Sequence, residues 1–265
     1  LSAMDLRVDG RIAFAATGGR ARDAGVPDVV LLHGAGMDHT VWTLQARYLA
    51  HHGRNVLALD LPGHGRSAGA PLASIPDMAA WVLRVLDAAG CGSAAIAGHS
   101  MGALVALATA AAAPGRVRGL ALLGAAASMP VHPDLLEAAR AGDHVAIDLV
   151  ASWGFGRRAQ LGGAQAPGTW MLGGGIRLLE RDGNGALATD LAACAAHADA
   201  LAHAALVACP ALVVAGAQDR MTPPRGGRAL AAAIPGARFV EIPACGHMMT
   251  IERPDLALDA MKEVL

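Results

Sequence analysis

Residues 98–102 read Gly98-His99-Ser100-Met101-Gly102, a serine with a glycine two positions away on each side. Glycine accounts for 33 of 265 residues, so the pattern could arise by accident and its setting has to decide. The apolar run AAIA leads into it and MGALVALATAAAA follows. A strand, a sharp turn and a helix in that order strain the serine backbone and hold its hydroxyl out of the turn. Side chains at 98 and 102 would obstruct the backbone that passes close by. The competing reading of Ser100 is a helix-capping serine. A serine hydroxyl is a weak nucleophile at neutral pH; it needs a base in hydrogen-bond reach and a third group to orient that base. Asp219, in Gly216-Ala217-Gln218-Asp219-Arg220, directly follows the run ALVVA, and His247, in Pro243-Ala244-Cys245-Gly246-His247-Met248, directly follows RFVEI. Loops at the carboxyl ends of strands in a wound sheet share one crevice, and the chain order serine, acid, histidine suits an elbow serine there. Of the 11 histidines, only His247 lies beyond the strands that can carry the acid. Rival acids are placed worse: Glu241 lies inside a strand, and Glu252 and Asp255 lie beyond the histidine.

Such a trio performs acyl transfer, which also needs two fixed N–H groups for the charge that develops on the carbonyl oxygen. One is expected from Met101, directly after the nucleophile. The other is expected from Ala35, in the loop His33-Gly34-Ala35-Gly36-Met37 that follows the run DVVLL.

The elements that must hold these residues are legible as alternating short strands and helices. Asp28–Leu32, Asn55–Leu59, Ala94–Ala97, Leu120–Leu123, Ala211–Ala215 and Arg238–Ile242 are apolar on both faces, as parallel strands covered by helices must be. Helical patterns cover Val41–His52, Ile75–Ala89, Met101–Ala113, Pro223–Ile234 and Pro254–Leu265. The alternation predicts an α/β fold with a mainly parallel, doubly wound sheet, and residues 5–16, with a central Asp-Gly, predict a leading hairpin. From about 126 to 205 the rhythm stops. Only helix-like pieces occur there (Leu135–Arg140, His144–Trp153, Ile176–Glu180, Leu187–Ala200), which predicts a helical subdomain inserted into a core of residues 4–125 and 206–265.

Composition narrows the function classes. Hydrophobic residues make up 54%, charged residues 16%, and the net charge is −1, so a large core forms easily and nothing favours nucleic acid or an anionic membrane surface. No apolar run reaches the roughly 18 residues of a membrane span, and the N-terminus lacks the pattern of a signal peptide. Leu1–Ala3, ahead of Met4, reads as a tag remnant. Cys91, Cys194, Cys209 and Cys245 have no metal or disulfide spacing and read as small buried apolar residues in a reducing, cytoplasmic setting. Neither GxxxxGK[ST] nor GxGxxG occurs and no metal-ligand spacing is present, so neither a cofactor nor a metal is expected.

These motifs together resemble the α/β-hydrolase superfamily: LLHGAGMD at 31–38, LALDLPGHGRS at 57–67, IAGHSMG at 96–102, VVAGAQDRMTPP at 213–224 and PACGHMMTIERP at 243–254. The resemblance spans nearly the whole chain. It implies that 126–205 is a helical cap over the active site, that the loop with Asp60, Gly63, Gly65 and Ser67 is a structural turn, and that His33 and His99 pack and orient loops. Dehalogenases and epoxide hydrolases of the superfamily carry Asp at the position of Ser100, so serine points to esterase, thioesterase, lactonase or carbon–carbon hydrolase chemistry; perhydrolases share the GHSMG form. HGAG in place of HGGG argues against a large triglyceride. The reading is a serine hydrolase of a small to medium acyl substrate, a monomer or homodimer without nucleic-acid or membrane partner. Acyl transfer to an alcohol and a binding module with a slow triad stay open. Trp153, Phe155, Trp170, Met171 and Leu172 of the insertion, with Met248, are expected to line the acyl pocket.

Overall fold

The structure, a computed structural model, describes residues 3–165, 168–181 and 185–265. An eight-stranded sheet carries the fold, in the order β1-β2-β4-β3-β5-β6-β7-β8. β1 (Ala3–Val8) and β2 (Arg11–Ala16) form the leading antiparallel hairpin, and β2 joins β4 antiparallel. From there β4 (Asn55–Leu59), β3 (Asp28–Leu32), β5 (Ala94–His99), β6 (Val117–Leu123), β7 (Ala211–Gly216) and β8 (Arg238–Ile242) run parallel. Ala3 pairs with Ala16 and so belongs to the sheet; Leu1 and Ser2 lie outside the described residues.

Successive strand residues point to opposite faces, which splits the core in two. Val30, Leu32, Ala94 and Ile96 face one layer with α2 (Ile75–Ala88) and α3 (Met101–Ala112); Val29, Leu31, Ala95 and Ala97 face the other with α1 (Thr43–His51) and α12 (Pro254–Met261). α10 (Pro224–Ala233) joins the first layer and α11 (Met249–Glu252) the second. Both sheet faces are thus covered, as the unbroken apolar strands require.

Between β6 and β7 there is no strand among the described residues. The chain instead forms α4 (Pro133–Ala141), α5 (Val145–Gly154), α6 (Arg157–Gln160), α7 (Met171–Leu179), α8 (Ala186–Ala196) and α9 (Ala200–Ala205). Two departures from the sequence expectation have clear causes. The single helix expected over Leu187–Ala200 breaks after α8, where His197 is extended (φ −77°, ψ 110°). And α7 begins five residues before Ile176, through Gly173-Gly174-Gly175, because the Trp170 ring lies where a Cβ on Gly173 would be and the Phe155 ring where one on Gly175 would be. No helix among the described residues is long and apolar enough to cross a membrane.

Strand register fixes which residues meet at the sheet's edge. Leu32 lies beside Gly98, His99 beside Leu123, Leu123 beside Val214, and Gly216 beside Ile242. The carboxyl ends of β3, β5, β6, β7 and β8 therefore form one continuous edge.

Candidate active site

Ser100 sits in the turn between β5 and α3 with φ 53° and ψ −119°. Among the described residues only Asp9, Ser100 and Ala244 combine a side chain with positive φ. Such backbone persists only where its surroundings over-determine it. Here the Ser100 amide donates to the Leu123 carbonyl (2.8 Å), and the Ala103 amide to the Ser100 carbonyl (2.9 Å). The flanking glycines are obligatory. A Cβ on Gly98 would strike the Gly102 carbonyl, and one on Gly102 would strike the carbonyls of Leu32 and His33. The Ser100 hydroxyl makes no capping hydrogen bond, which removes the helix-cap reading. It faces a cavity of about 270 Å³ that His247 and Ala35 also line.

Asp219, past β7, and His247, past β8, meet two and three strands along the sheet from β5. Asp219 Oδ2 lies 2.8 Å from His247 Nδ1. Asp219 Oδ1 accepts the amides of Met221 (2.9 Å) and Thr222 (2.8 Å), and the Thr222 hydroxyl donates to Oδ2 (2.7 Å). Burial by itself raises the Asp219 carboxyl, but the His247 charge and these hydrogen bonds outweigh it and hold the group below the usual carboxylate range. An ionised carboxylate only accepts, so His247 Nδ1 carries the hydrogen in this contact. Thr222 was not foreseen; its place three residues after an Asx-type turn residue was the available cue.

The histidine loop is tied down from behind. The amides of His247 (2.7 Å) and Met248 (3.2 Å) donate to the Gly154 carbonyl at the end of α5. Glu252, buried and set aside in the sequence as an acid, accepts the amides of Gly246 (3.1 Å) and Gly156 (3.0 Å), although burial pushes its carboxyl up. His99 Nε2 donates to the His247 carbonyl (2.8 Å). Burial, then the neighbouring His247, depress the His99 imidazole to about 3, so it stays neutral.

The His33–Met37 loop borders Ser100. His33 Nε2 accepts the Leu61 amide (3.1 Å), so its Nδ1 carries the hydrogen and donates to the Gly34 carbonyl (2.8 Å). Ala35 lines the Ser100 cavity and Met101 follows Ser100 at the start of α3; among the described residues neither amide donates to a backbone acceptor outside the helices and strands.

The predicted pocket is corrected in part. Trp153 does line the cavity, with Met37, Leu135, Val150, Leu187 and Leu191. Trp170 and Met171 instead line a separate cavity of about 600 Å³ between α7 and Thr40–Leu44. Trp170 is 65% exposed. Met248 is buried in the second core layer under Gly154, and Phe155 packs against Gly175; neither reaches the Ser100 cavity, nor does Leu172. Arg220 and Thr222 line it unforeseen. The four cysteines are free; three are buried, while Cys209 is only half-buried. Asp38, His39 and Asp60 bring ligand atoms within 4.8 Å of one another, but their carboxylates are engaged by the amides of His39, Thr40 and Arg66 and by Arg181, so the cluster braces a loop.

Known proteins place this architecture. "Putative carbamate hydrolase RutD" of Klebsiella pneumoniae (strain ATCC 700721 / MGH 78578) is 31% identical over 252 residues, covering 87% of this chain and 88% of its own. The crystal structure of the enol-lactonase from Burkholderia xenovorans LB400 superposes with a TM-score of 0.87 at 28% identity, covering 97% of each chain. A thermophilic esterase from Thermogutta terrifontis shares the fold, with a TM-score of 0.85 at 24% identity over 99% of this chain and 97% of its own. A model described as the alpha/beta hydrolase family matches residues 29–260, and by that match and the 31% relative the chain belongs to this family.

Proposed function

We propose that the chain is a serine hydrolase that cleaves a carboxylic ester or lactone of small to medium size through an acyl-enzyme on Ser100. The observation that carries this reading is the strained Ser100 elbow facing the same cavity as His247, whose Nδ1 is held 2.8 Å from Asp219. His247 Nε2 takes the Ser100 proton as Oγ attacks the acyl carbon. The Ala35 and Met101 amides stabilise the oxyanion, and His247 returns its proton to the leaving alcohol. Water then attacks the acyl-enzyme by the same route. Asp219, with Thr222, keeps the imidazole in the tautomer whose bare nitrogen faces the serine. Residues 126–205 act as a cap, with α4, α5 and α8 contributing Leu135, Val150, Trp153, Leu187 and Leu191 to an apolar wall. A cavity of about 270 Å³ suits a short acyl chain or a single ring. Relatives named as a carbamate hydrolase and an enol-lactonase support chemistry at an acyl carbon.

The test is turnover of p-nitrophenyl acetate and butyrate, and labelling by a fluorophosphonate probe, in wild type and Ser100→Ala. Both should vanish in the variant. Wild-type turnover by Ser100→Ala would exclude the acyl-enzyme, and a chain that neither labels nor turns over would be a binding module.

A further inference from the structure

Asp190 is, like Asp60, a fully buried carboxylate that the reaction above does not use. It lies on α8, has no solvent exposure, and reaches out of the cap into the core. Its Oδ2 accepts the Gly36 amide at 2.9 Å and lies 2.8 Å from His64 Nε2. We propose that Asp190 is a positioning residue for the oxyanion hole, holding the His33–Met37 loop from the cap side so that the Ala35 amide points at the acyl oxygen. The inference rests on the ester-hydrolase reading.

The peptide geometry leads there step by step. The Gly34 carbonyl and the Ala35 amide belong to one planar trans unit and point in opposite directions. His33 Nδ1 grips that carbonyl from the core side, which turns the Ala35 N–H the other way. The next amide along, Gly36, is gripped by Asp190 from the cap side. Ala35 is thus bracketed by two anchors from different parts of the chain. The loop needs them: Gly36 adopts φ +65°, and glycines on both sides of Ala35 leave it little stiffness of its own.

His64 completes the anchor: its Nε2 donates to the Asp190 carboxylate, and its Nδ1 lies 3.1 Å from the Pro62 carbonyl. This pairs Asp190 with the loop Leu61–Ser67, which the sequence marked only as a structural turn. The arrangement has a cost to the fold: Asp190 Oδ1 is buried with no hydrogen-bond partner among the described residues. A side chain chosen for packing alone would not be a carboxylate there. The same helix face carries Leu187 and Leu191, which line the acyl cavity, and Leu187 also packs on Gly36. Helix α8 therefore touches both the acyl group and the loop that must stabilise its oxyanion.

The experiment compares wild type, Asp190→Ala and Asp190→Asn by p-nitrophenyl butyrate kinetics per titrated active site. Inhibition by an alkyl trifluoromethyl ketone, whose tetrahedral adduct places an oxyanion in the hole, is measured alongside. Asp190→Ala should lower kcat by about ten- to a hundredfold with KM changed by less than about threefold, and weaken the ketone in step with kcat/KM. Asp190→Asn, which keeps an oxygen acceptor for the Gly36 amide, should recover most of that loss. Unchanged kcat and ketone affinity in folded Asp190→Ala, with only a lower thermal midpoint, would reduce Asp190 to a structural anchor and overturn the proposal. If Asp190→Ala does not fold, His64→Gln is read the same way: weaker ketone binding supports the proposal and unchanged binding overturns it. A wild type without Ser100-dependent turnover would instead show that the hydrolase reading itself fails, and this inference with it.

Discussion

Asp219→Asn separates orientation from charge at the candidate site. In the native arrangement Oδ1 is fixed by two amides, Met221 at 2.9 Å and Thr222 at 2.8 Å, so an asparagine must place its carbonyl there. Its NH2 then takes the place of Oδ2, 2.8 Å from His247 Nδ1. An NH2 donates, so Nδ1 must accept and the ring hydrogen moves to Nε2. The imidazole is turned into the tautomer that cannot take the Ser100 proton. The Thr222 hydroxyl, which now donates to Oδ2, rotates to accept instead, so folding should change little. In another enzyme with a serine triad the equivalent substitution costs about 10⁴ in kcat. At about 1.4 kcal/mol per decade this amounts to roughly 5 kcal/mol in the barrier, and a similar loss is expected here. The assay is p-nitrophenyl butyrate turnover per titrated active site, with the thermal midpoint measured beside it. A loss below about tenfold at an unchanged midpoint would refute the assignment of Asp219 as the group that fixes the His247 tautomer. An inverted asparagine would leave the two amides facing an NH2 and would show itself as a lowered midpoint.

Three further outcomes are expected from the geometry. Gly102→Ala would drive a Cβ into the carbonyls of Leu32 and His33, so it should destabilise the protein by several kcal/mol or displace the elbow and abolish turnover, read by chemical denaturation and kinetics. His33 is depressed to about 4 and His99 to about 3, in each case by burial first and then by a neighbouring imidazole, so between those values and about 6.5 the unfolded chain binds more protons than the folded one. Stability should therefore fall as pH drops from about 6.5 toward 4, by about 3 kcal/mol from His33 alone; a calorimetric midpoint flat over that range would contradict the neutral buried rings. Arg220 lines the cavity without an ion-pair partner among the described residues, and no carboxylate lines it. Arg220→Gln should raise KM for a p-nitrophenyl hemi-ester of glutarate by about threefold to tenfold, modest because the side chain is exposed, and leave p-nitrophenyl butyrate unaffected.

The strands were legible because each is a short apolar run bounded by turns, and two-sided burial leaves that mark on the residues themselves. Ser100, Asp219 and His247 were legible for a related reason. Each directly follows such a run, and parallel strands deliver their carboxyl ends to one edge whatever the rest of the chain does. Helix α7 was harder: three consecutive glycines argue against a helix locally, and only the rings of Phe155 and Trp170, packed where side chains would otherwise stand, explain its start. Pocket residues were the least legible. Trp153 and Trp170 look alike in sequence, yet one lines the Ser100 cavity and the other a separate cavity, because helices packed at angles set by their neighbours decide which face looks inward. Asp190 carried no local mark either, standing in an alanine-rich helix 154 residues from the amide it holds. By itself the sequence determined the sheet, the elbow and the order of the chemical groups, since these depend on local pattern and chain direction. Tertiary structure alone decided which side chains wall the cavity and which buried carboxylate holds the His33–Met37 loop, because those contacts join segments that no local pattern connects.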